Sequence, residues 1–139
     1  MTALIDTNVI IDYILGREPF APAARECVER LLAGNSKARL TASTITDIYY
    51  LTRRALKDKA AAKNVIAKLL NAFQIAFVDK SDCLGALEIN AGDYEDALVI
   101  VCAKKVKAEY IITRNVKDFS VSAIPVVAPA DFLSKTDCS

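Results

Sequence analysis

Histidine is absent from this 139-residue chain. That absence removes the Ser-His-Asp and Cys-His nucleophile systems. The four cysteines, Cys27, Cys83, Cys102 and Cys138, include no CxxC pair, so with no histidine there is no zinc site either. A general base working near neutral pH must then be a perturbed carboxylate, a lysine or a metal-bound water. Charge of one sign is also lacking. Lys and Arg number 18 against 17 Asp and Glu, a net charge of +1, so no global basic field announces nucleic acid and only a local patch could serve it. Long hydrophobic runs are missing: Arg17 and Glu18 end the first apolar stretch, and Lys104 and Lys105 interrupt the one near Val101, which argues against a membrane span. No basic region precedes the N-terminal apolar run and no small-residue cleavage site follows it. No signal peptide is expected, and cytoplasmic residence is the default. There is no GxGxxG after a strand and no P-loop pattern, so dinucleotide and nucleotide-triphosphate readings lack support. Glycine is scarce, at four residues, and reads mostly as helix stops.

What is present is a chain 53% hydrophobic, enough to build a core without disulfides or structural metal. Its length fits one domain, taken as residues 1–134 with a short polar tail at 135–139. Strand-like and helix-like segments alternate. Strands are predicted at Ala3–Ile5, Ala38–Ala42, Ile75–Val78, Tyr110–Thr113 and Pro125–Val127. Helices are predicted at Asn8–Leu15, Ala21–Leu32, Thr44–Lys57, Lys59–Phe73, Ser81–Ile89 and Tyr94–Lys105, with a final helical turn from Pro129 through Leu133. Short continuous apolar strands between helices predict an α/β fold, a parallel sheet covered on both faces. Sites in such sheets lie at the carboxyl ends of the strands. Cys27 and Cys102 fall on apolar helical faces and read as buried thiols, whereas Cys138 falls in the polar tail and reads as exposed.

Several lone acids fall at strand ends and helix starts. Asp6 follows Ala3-Leu4-Ile5, Asp47 lies within Ser43-Thr44-Ile45-Thr46-Asp47-Ile48, and Asp96 opens the helix in Asp93-Tyr94-Glu95-Asp96-Ala97-Leu98. Asn115 and Asp118 follow the apolar run Tyr110-Ile111-Ile112. Each has a plainer explanation. Asp6 is placed to cap a helix, and Thr44 with Asp47 and Asp93 with Asp96 both resemble capping boxes. As a set they are harder to explain that way, because two unit charges about 4 Å apart repel by roughly 4 kcal/mol at an effective dielectric near 20. Raised pKa values or a bound cation must relieve that repulsion. Hard oxygen donors with no sulfur–nitrogen set favour Mg2+ or Mn2+. Such an ion polarises a phosphoryl oxygen and activates water without any histidine. Asp6-Thr7-Asn8 lacks the second acid, two positions on, that phosphoryl-aspartate hydrolases carry. Arg53 and Arg114 are candidate phosphate contacts. Arg54, Lys57, Lys59, Lys63 and Lys68 read more simply as solvated helix face. At least one of Tyr49 and Tyr50 is expected in the core with Ile45 and Ile48.

Leu4-Ile5-Asp6-Thr7-Asn8-Val9-Ile10, Asp93-Tyr94-Glu95-Asp96-Ala97-Leu98 and Ile111-Ile112-Thr113-Arg114-Asn115-Val116-Lys117-Asp118-Phe119 together resemble the PIN domain family, across Leu4 to Phe132. The resemblance implies a three-layer α/β/α fold around a central parallel sheet and a Mg2+- or Mn2+-dependent ribonuclease. Many small bacterial and archaeal members resemble the toxin half of VapBC-type toxin–antitoxin pairs and commonly dimerise. An antitoxin protein and a homodimer are therefore the expected partners, beside an RNA substrate. Residue by residue, Asp6 matches the first metal-binding acid, Asp96 the third, and Asp47 the second, where the family more often has Glu. Asn115 stands where many relatives have Asp, and Asp118 is the next available carboxylate. Asn8, Ser43 and Thr113 match polar positions that support the acids. The expectation is a metal-dependent endoribonuclease in which Asp6, Asp47 and Asp96 crowd together and Asp118 or Asn115 completes the pocket. The alternative, motivated by Asp47 and Asn115, is a degenerate module that binds RNA or protein without cutting. Apolar side chains on Ala21–Leu32 and Thr44–Phe73 suggest a partner or self-association surface.

Overall fold

The computed structural model describes residues 1–34 and 37–136. Among these, five strands form one parallel sheet in the order β3-β2-β1-β4-β5: β1 Thr2–Ile5, β2 Lys37–Thr41, β3 Gln74–Ala76, β4 Tyr110–Ile112 and β5 Val126–Val127. The central strand β1 has Ala3, Leu4 and Ile5 all buried, as a strand covered on both faces must. Its side chains alternate between two cores. Ala3 and Ile5 join Val9, Ile10, Val28 and Ile48 on one face, while Leu4 joins Val99, Cys102, Ile111 and Phe119 on the other.

The first face is covered by α1 Thr7–Leu15, α2 Ala21–Ala33, α3 Ala42–Leu56, α4 Lys59–Ala72 and α7 Pro129–Thr136. The second is covered by α6 Tyr94–Lys105, against which α5 Lys80–Leu87 packs, together with a 3-10 turn at Val116–Phe119. The expected three-layer α/β/α architecture is therefore present. Strand order reverses between β1 and β4, so a crevice opens outside their carboxyl ends, where ligands bind in open parallel sheets. Asp6 N–H donates to the Ile112 carbonyl at 2.9 Å and Thr113 N–H to the Val127 carbonyl at 3.0 Å, which fixes the three strand ends side by side.

Local details depart from the sequence reading. Helix α3 begins at Ala42, and its N-cap is Thr41, whose hydroxyl accepts from Thr44 N–H at 3.1 Å. The capping box expected of Thr44 and Asp47 is therefore not the device that starts this helix, and Asp47 is released from that duty. A closed capping box occurs instead at Asp79 and Asp82, at the start of α5. Helix α7 runs to Thr136, longer than the single turn expected. Tyr49 is half-buried and Tyr50 is 61% exposed, so neither enters the core, into which α3 sends Ile48 with Ile45 and Leu51 packed beside it. Gly16 and Gly34 do end helices, but Gly85 lies inside α5 and Gly92 lies beyond its end. Cys27 and Cys102 are buried as expected, and burial pushes their thiols up to about 12 and about 11, beyond the reactive range. Cys138 and the end of the polar tail lie outside the described residues. Among the described residues no helix is long and apolar enough to cross a membrane.

Candidate active site

Asp6 is the best-held acid of the crevice. It ends β1 and caps α1, with one carboxylate oxygen accepting from Thr7 N–H at 2.9 Å. The other oxygen accepts from the Thr113 hydroxyl at 2.8 Å and from the Asn8 amide at 3.3 Å. Asn8 also donates to Thr113 at 3.2 Å and accepts from Arg114 N–H at 3.2 Å. Thr113 is fully buried. Asn8 and Thr113 thus tie the end of β4 to the end of β1 and fix the Asp6 carboxylate between them. Burial raises the pKa of Asp6; the bonds from Thr113 and Thr7 oppose that rise, and repulsion from Asp93 and Asp118 adds to it.

Helix α6 brings its first turn to the same place. Asp93 caps it by accepting from Asp96 N–H at 2.8 Å, one half of the capping box that the sequence suggested. Asp96 is pushed up to about 7, first by burial and then by repulsion from Asp93 and Asp6, with Asp118 contributing. Glu95, beside it, is pushed up to about 8, chiefly because its protonated carboxyl bonds to Asp47, then by burial and by repulsion from Asp47, Asp6 and Asp93. Asp47 joins the acids through Glu95. Asp118, exposed on the 3-10 turn, faces Asp96 across Gly92. A β-carbon added at Gly92 would stand 2.7 Å from Asp118 Cβ, 2.8 Å from its carboxyl carbon and 2.8 Å from an Asp96 oxygen. Only glycine leaves both carboxylates where they are.

The remaining candidates divide. Ser43 lies 2.9 Å from Thr41 in a chain of hydroxyls that continues through Thr44 to Thr7 and so links the start of α3 to the start of α1. Asn115 is exposed at the head of the 3-10 turn, and its backbone N–H donates to Thr113 at 3.0 Å. With Asp118 it lines a hollow of about 400 Å3. Arg53 is exposed near the far end of α3, where it borders a separate hollow with Tyr50, Arg54 and Lys57. It is six positions past Asp47, about 9 Å along the helix axis. Arg114 is not a free cation. It is paired with Asp12, Nε to Oδ2 at 2.5 Å, and its guanidinium stacks over the Phe20 ring at 4.0 Å.

Sequence reasoning missed Asp93 and Glu95 as members of the cluster, though four residues with three acids at one helix start were a usable signal. It also missed Asp12, whose position inside Val9-Ile10-Ile11-Asp12 marked a buried acid in need of a partner. Nothing in the sequence marked Gly92.

The sequence pattern that defines the PIN domain matches residues 2–117. The chain belongs to the PIN domain family. Among curated proteins it is similar to Ribonuclease VapC1 of Aquifex aeolicus, 28% identical over 136 residues that cover 94% of this chain and 92% of that one. Among solved structures it resembles VapBC-1 from nontypeable Haemophilus influenzae, with a TM-score of 0.68 and 20% identity over 94% of this chain and 99% of that one. A toxin–antitoxin complex from Klebsiella pneumoniae is similar at a TM-score of 0.66 and 23% identity, over 91% of this chain and 97% of the other. At these identities the structural likeness speaks to the fold, and it reaches nearly end to end.

The PIN domain crevice of this chain therefore concentrates acids from four separate stretches of sequence, around Asp6, Asp47, Asp93–Asp96 and Asp118. Among the described residues, no three of them close into a finished metal cage. Their donor chemistry nonetheless suits a hard dication: every group is a carboxylate oxygen, and their shared repulsion is what such an ion relieves.

Proposed function

We propose that this PIN domain is a Mg2+- or Mn2+-dependent endoribonuclease, the toxin of a toxin–antitoxin pair. One observation carries the reading: acids distant in sequence meet at the strand-order reversal, where burial and then repulsion from Asp93 and Asp6 raise Asp96 to about 7, and the bond to Asp47, burial and repulsion raise Glu95 to about 8. Similarity to Ribonuclease VapC1, to VapBC-1 and to the Klebsiella toxin–antitoxin complex supports it.

Asp6 and Asp96 are the residues that would hold the principal ion, with Asp47, Asp118 and Asn115 completing the ligand set. When bound, a divalent ion would neutralise charge on the phosphoryl group and lower the pKa of water. The chain's own residues do the rest. Thr113 and Asn8 aim the Asp6 carboxylate, and Gly92 keeps Asp96 and Asp118 apart without intruding on either. Ser43 lies on the hydroxyl chain that steadies the start of α3, and hence Asp47. Glu95, protonated at neutral pH, donates a hydrogen bond to the Asp47 carboxylate and so holds Asp47 at the edge of the acid field. Arg53 supplies a phosphate contact outside the crevice. The acid complement exceeds the set expected from sequence by Asp93 and Glu95, which favours cleavage over a binding-only module.

An inhibitory antitoxin would present a cation to this acid field. Exposed Tyr50, Leu56 and Leu70 on α3 and α4 support self-association as a homodimer, and the protein would act in the cytoplasm. The test is cleavage of single-stranded RNA after chelation and re-addition of Mg2+ or Mn2+, by the parent and by Asp96→Asn. Metal-restored cleavage in the parent, lost in a folded variant, is the expected result. Undiminished cleavage by the variant overturns the assignment.

A further inference from the structure

A second concavity, of about 500 Å3, opens at the same carboxyl edge of the sheet, on the side covered by α1, α2 and α7. Pro19 and Phe20 from the segment before α2, Ala23 of α2 and Pro129 of α7 give it apolar walls, and Arg114 and Asp12 give it a polar floor. Asp12 is completely buried and grips Arg114 from the side, with Nε to Oδ2 at 2.5 Å and Nη2 to Oδ1 at 3.2 Å. Phe20, 42% exposed, stacks on the guanidinium at 4.0 Å. The Arg114 backbone is held as well, its N–H donating to Asn8 at 3.2 Å.

A guanidinium carries five N–H donors in a fixed plane. Asp12 takes the Nε hydrogen and one on Nη2. The outer edge, both Nη1 hydrogens and the second on Nη2, has no partner among the described residues. What remains is a planar two-pronged donor locked in orientation beside an exposed aromatic ring. A structural pin between α1 and the end of β4 would account for the ion pair. It would not require an open apolar cavity over the unused prongs.

We propose that this cavity receives a base of the RNA strand next to the scissile phosphate, and that Arg114 reads guanine there while Phe20 stacks. The proposal rests on the ribonuclease reading above and adds a base specificity to it. Guanine presents O6 and N7 as adjacent acceptors, which match an arginine fork, whereas adenine sets its N6 amino donors against it. Any base offers a flat apolar face to an aromatic ring. A bare phosphate would also accept the fork but would leave the apolar walls at Pro19, Ala23 and Pro129 unused. Continuity with the acids supports the pairing, because Arg114 directly follows Thr113, which bonds to Asp6.

The experiment uses the whole chain in EDTA, where no metal-dependent cleavage occurs. Fluorescence anisotropy would follow binding of labelled UUUGUUU, of UUUAUUU, and of the guanine heptamer carrying 7-deazaguanine, which lacks N7. The expected result is binding of the guanine oligomer about tenfold or more tighter than the adenine one, with most of that advantage lost in the 7-deaza form. Arg114→Lys keeps a charge for Asp12 but loses the fork, and should abolish the preference. Phe20→Ala, at an exposed ring, should weaken the guanine complex and decides the matter if the lysine variant is unstable. Equal binding of all three oligomers overturns the proposal. So does an Arg114→Lys loss that is the same for all three, which would mark a phosphate contact. With Mn2+ restored, cleavage that ignores guanine overturns the base pocket and leaves the ribonuclease reading intact. A guanine preference in a protein that cleaves no RNA overturns the catalytic reading and leaves the pocket.

Discussion

Asp96→Asn should do two opposite things at once. The substitution keeps size and shape and leaves the backbone N–H that Asp93 caps, so the start of α6 survives. It removes one negative charge from a field in which Asp93, Asp6 and Asp118 all repel it. Raising an aspartate from 3.8 to about 7 corresponds to about 4 kcal/mol in a fully enclosed site. Asp96 is only partly enclosed, and solvent screening reduces this to about 1–2 kcal/mol. The sign follows from proton counting. With its folded pKa above its unfolded one, Asp96 binds more protons folded than unfolded between pH 4 and pH 7. Its penalty on the metal-free fold therefore grows as pH rises through that window and is complete above about pH 8. Thermal unfolding in EDTA at pH 8 should place Asp96→Asn roughly 3–7 °C above the parent, and the gap should close toward pH 4. Added Mn2+ should stabilise the parent more than the variant, since a ligand stabilises by RT ln(1 + [L]/Kd). RNA cleavage should fall by at least two orders of magnitude. A variant that melts at or below the parent at pH 8, or a gap independent of pH, would refute the picture of repelling acids.

Four further substitutions probe other parts of the structure. Gly92→Ala drives a methyl group against Asp96 and Asp118, and should cut Mn2+-supported cleavage about a hundredfold while far-ultraviolet circular dichroism stays unchanged. Thr113→Val removes the hydroxyl that holds Asp6 and should weaken Mn2+ binding by calorimetry roughly tenfold, with the affinity midpoint moving to higher pH. Thr52→Val replaces a fully buried hydroxyl that has no hydrogen-bond partner among the described residues, and should raise denaturant-measured stability by about 1 kcal/mol with no effect on cleavage. Asp82→Asn should lower stability at neutral pH by about 1 kcal/mol, because Lys105 holds that carboxyl below the usual range; the loss relative to the parent should shrink as pH falls below 4.

The architecture was legible because its signals are local and redundant. Continuous apolar strands, a 3.6-residue period in α2 and α4, and turn residues between them all point to the same layered sheet. Asp6 was legible for a topological reason: it directly follows a strand of a parallel sheet and so must reach the carboxyl edge; Thr113, read as the last residue of its strand, entered only through the family resemblance. The remainder depends on distances that sequence does not encode. Glu95 became part of the acid field because α6 approaches α3 closely enough for it to meet Asp47. Gly92 matters only because the 3-10 turn folds back and its Asp118 carbonyl accepts the Gly92 N–H at 2.9 Å. Arg114 read as a phosphate contact from its place beside a strand end, but Asp12, 102 positions earlier, fixes how it can be used. The Thr44 and Asp47 pattern misled because Thr41, at the end of β2, was an equally good cap and stood nearer the strand.

The chain contains its own control for what makes an acidic helix start functional rather than structural. Asp79-Lys80-Ser81-Asp82 and Asp93-Tyr94-Glu95-Asp96 share the same spacing, and each first aspartate accepts from the N–H of the last, at 2.9 Å and 2.8 Å. Capping alone therefore cannot separate them. Their surroundings do. Asp82 returns a bond to Asp79 N–H, completing the box, and Lys105 from the far end of α6 neutralises it, so its carboxyl is lowered. Among the described residues Asp96 meets no cation: burial first, and then its neighbours Asp93, Asp6 and Asp118, raise its carboxyl to about 7. One pair is a finished helix cap with its charge balanced inside the fold. The other carries a charge that the fold leaves unbalanced at a strand-end crevice, and balance there has to come from outside the chain. Helix α6 joins both arrangements, holding Lys105 against Asp82 at one end and Asp96 among the unbalanced acids at the other.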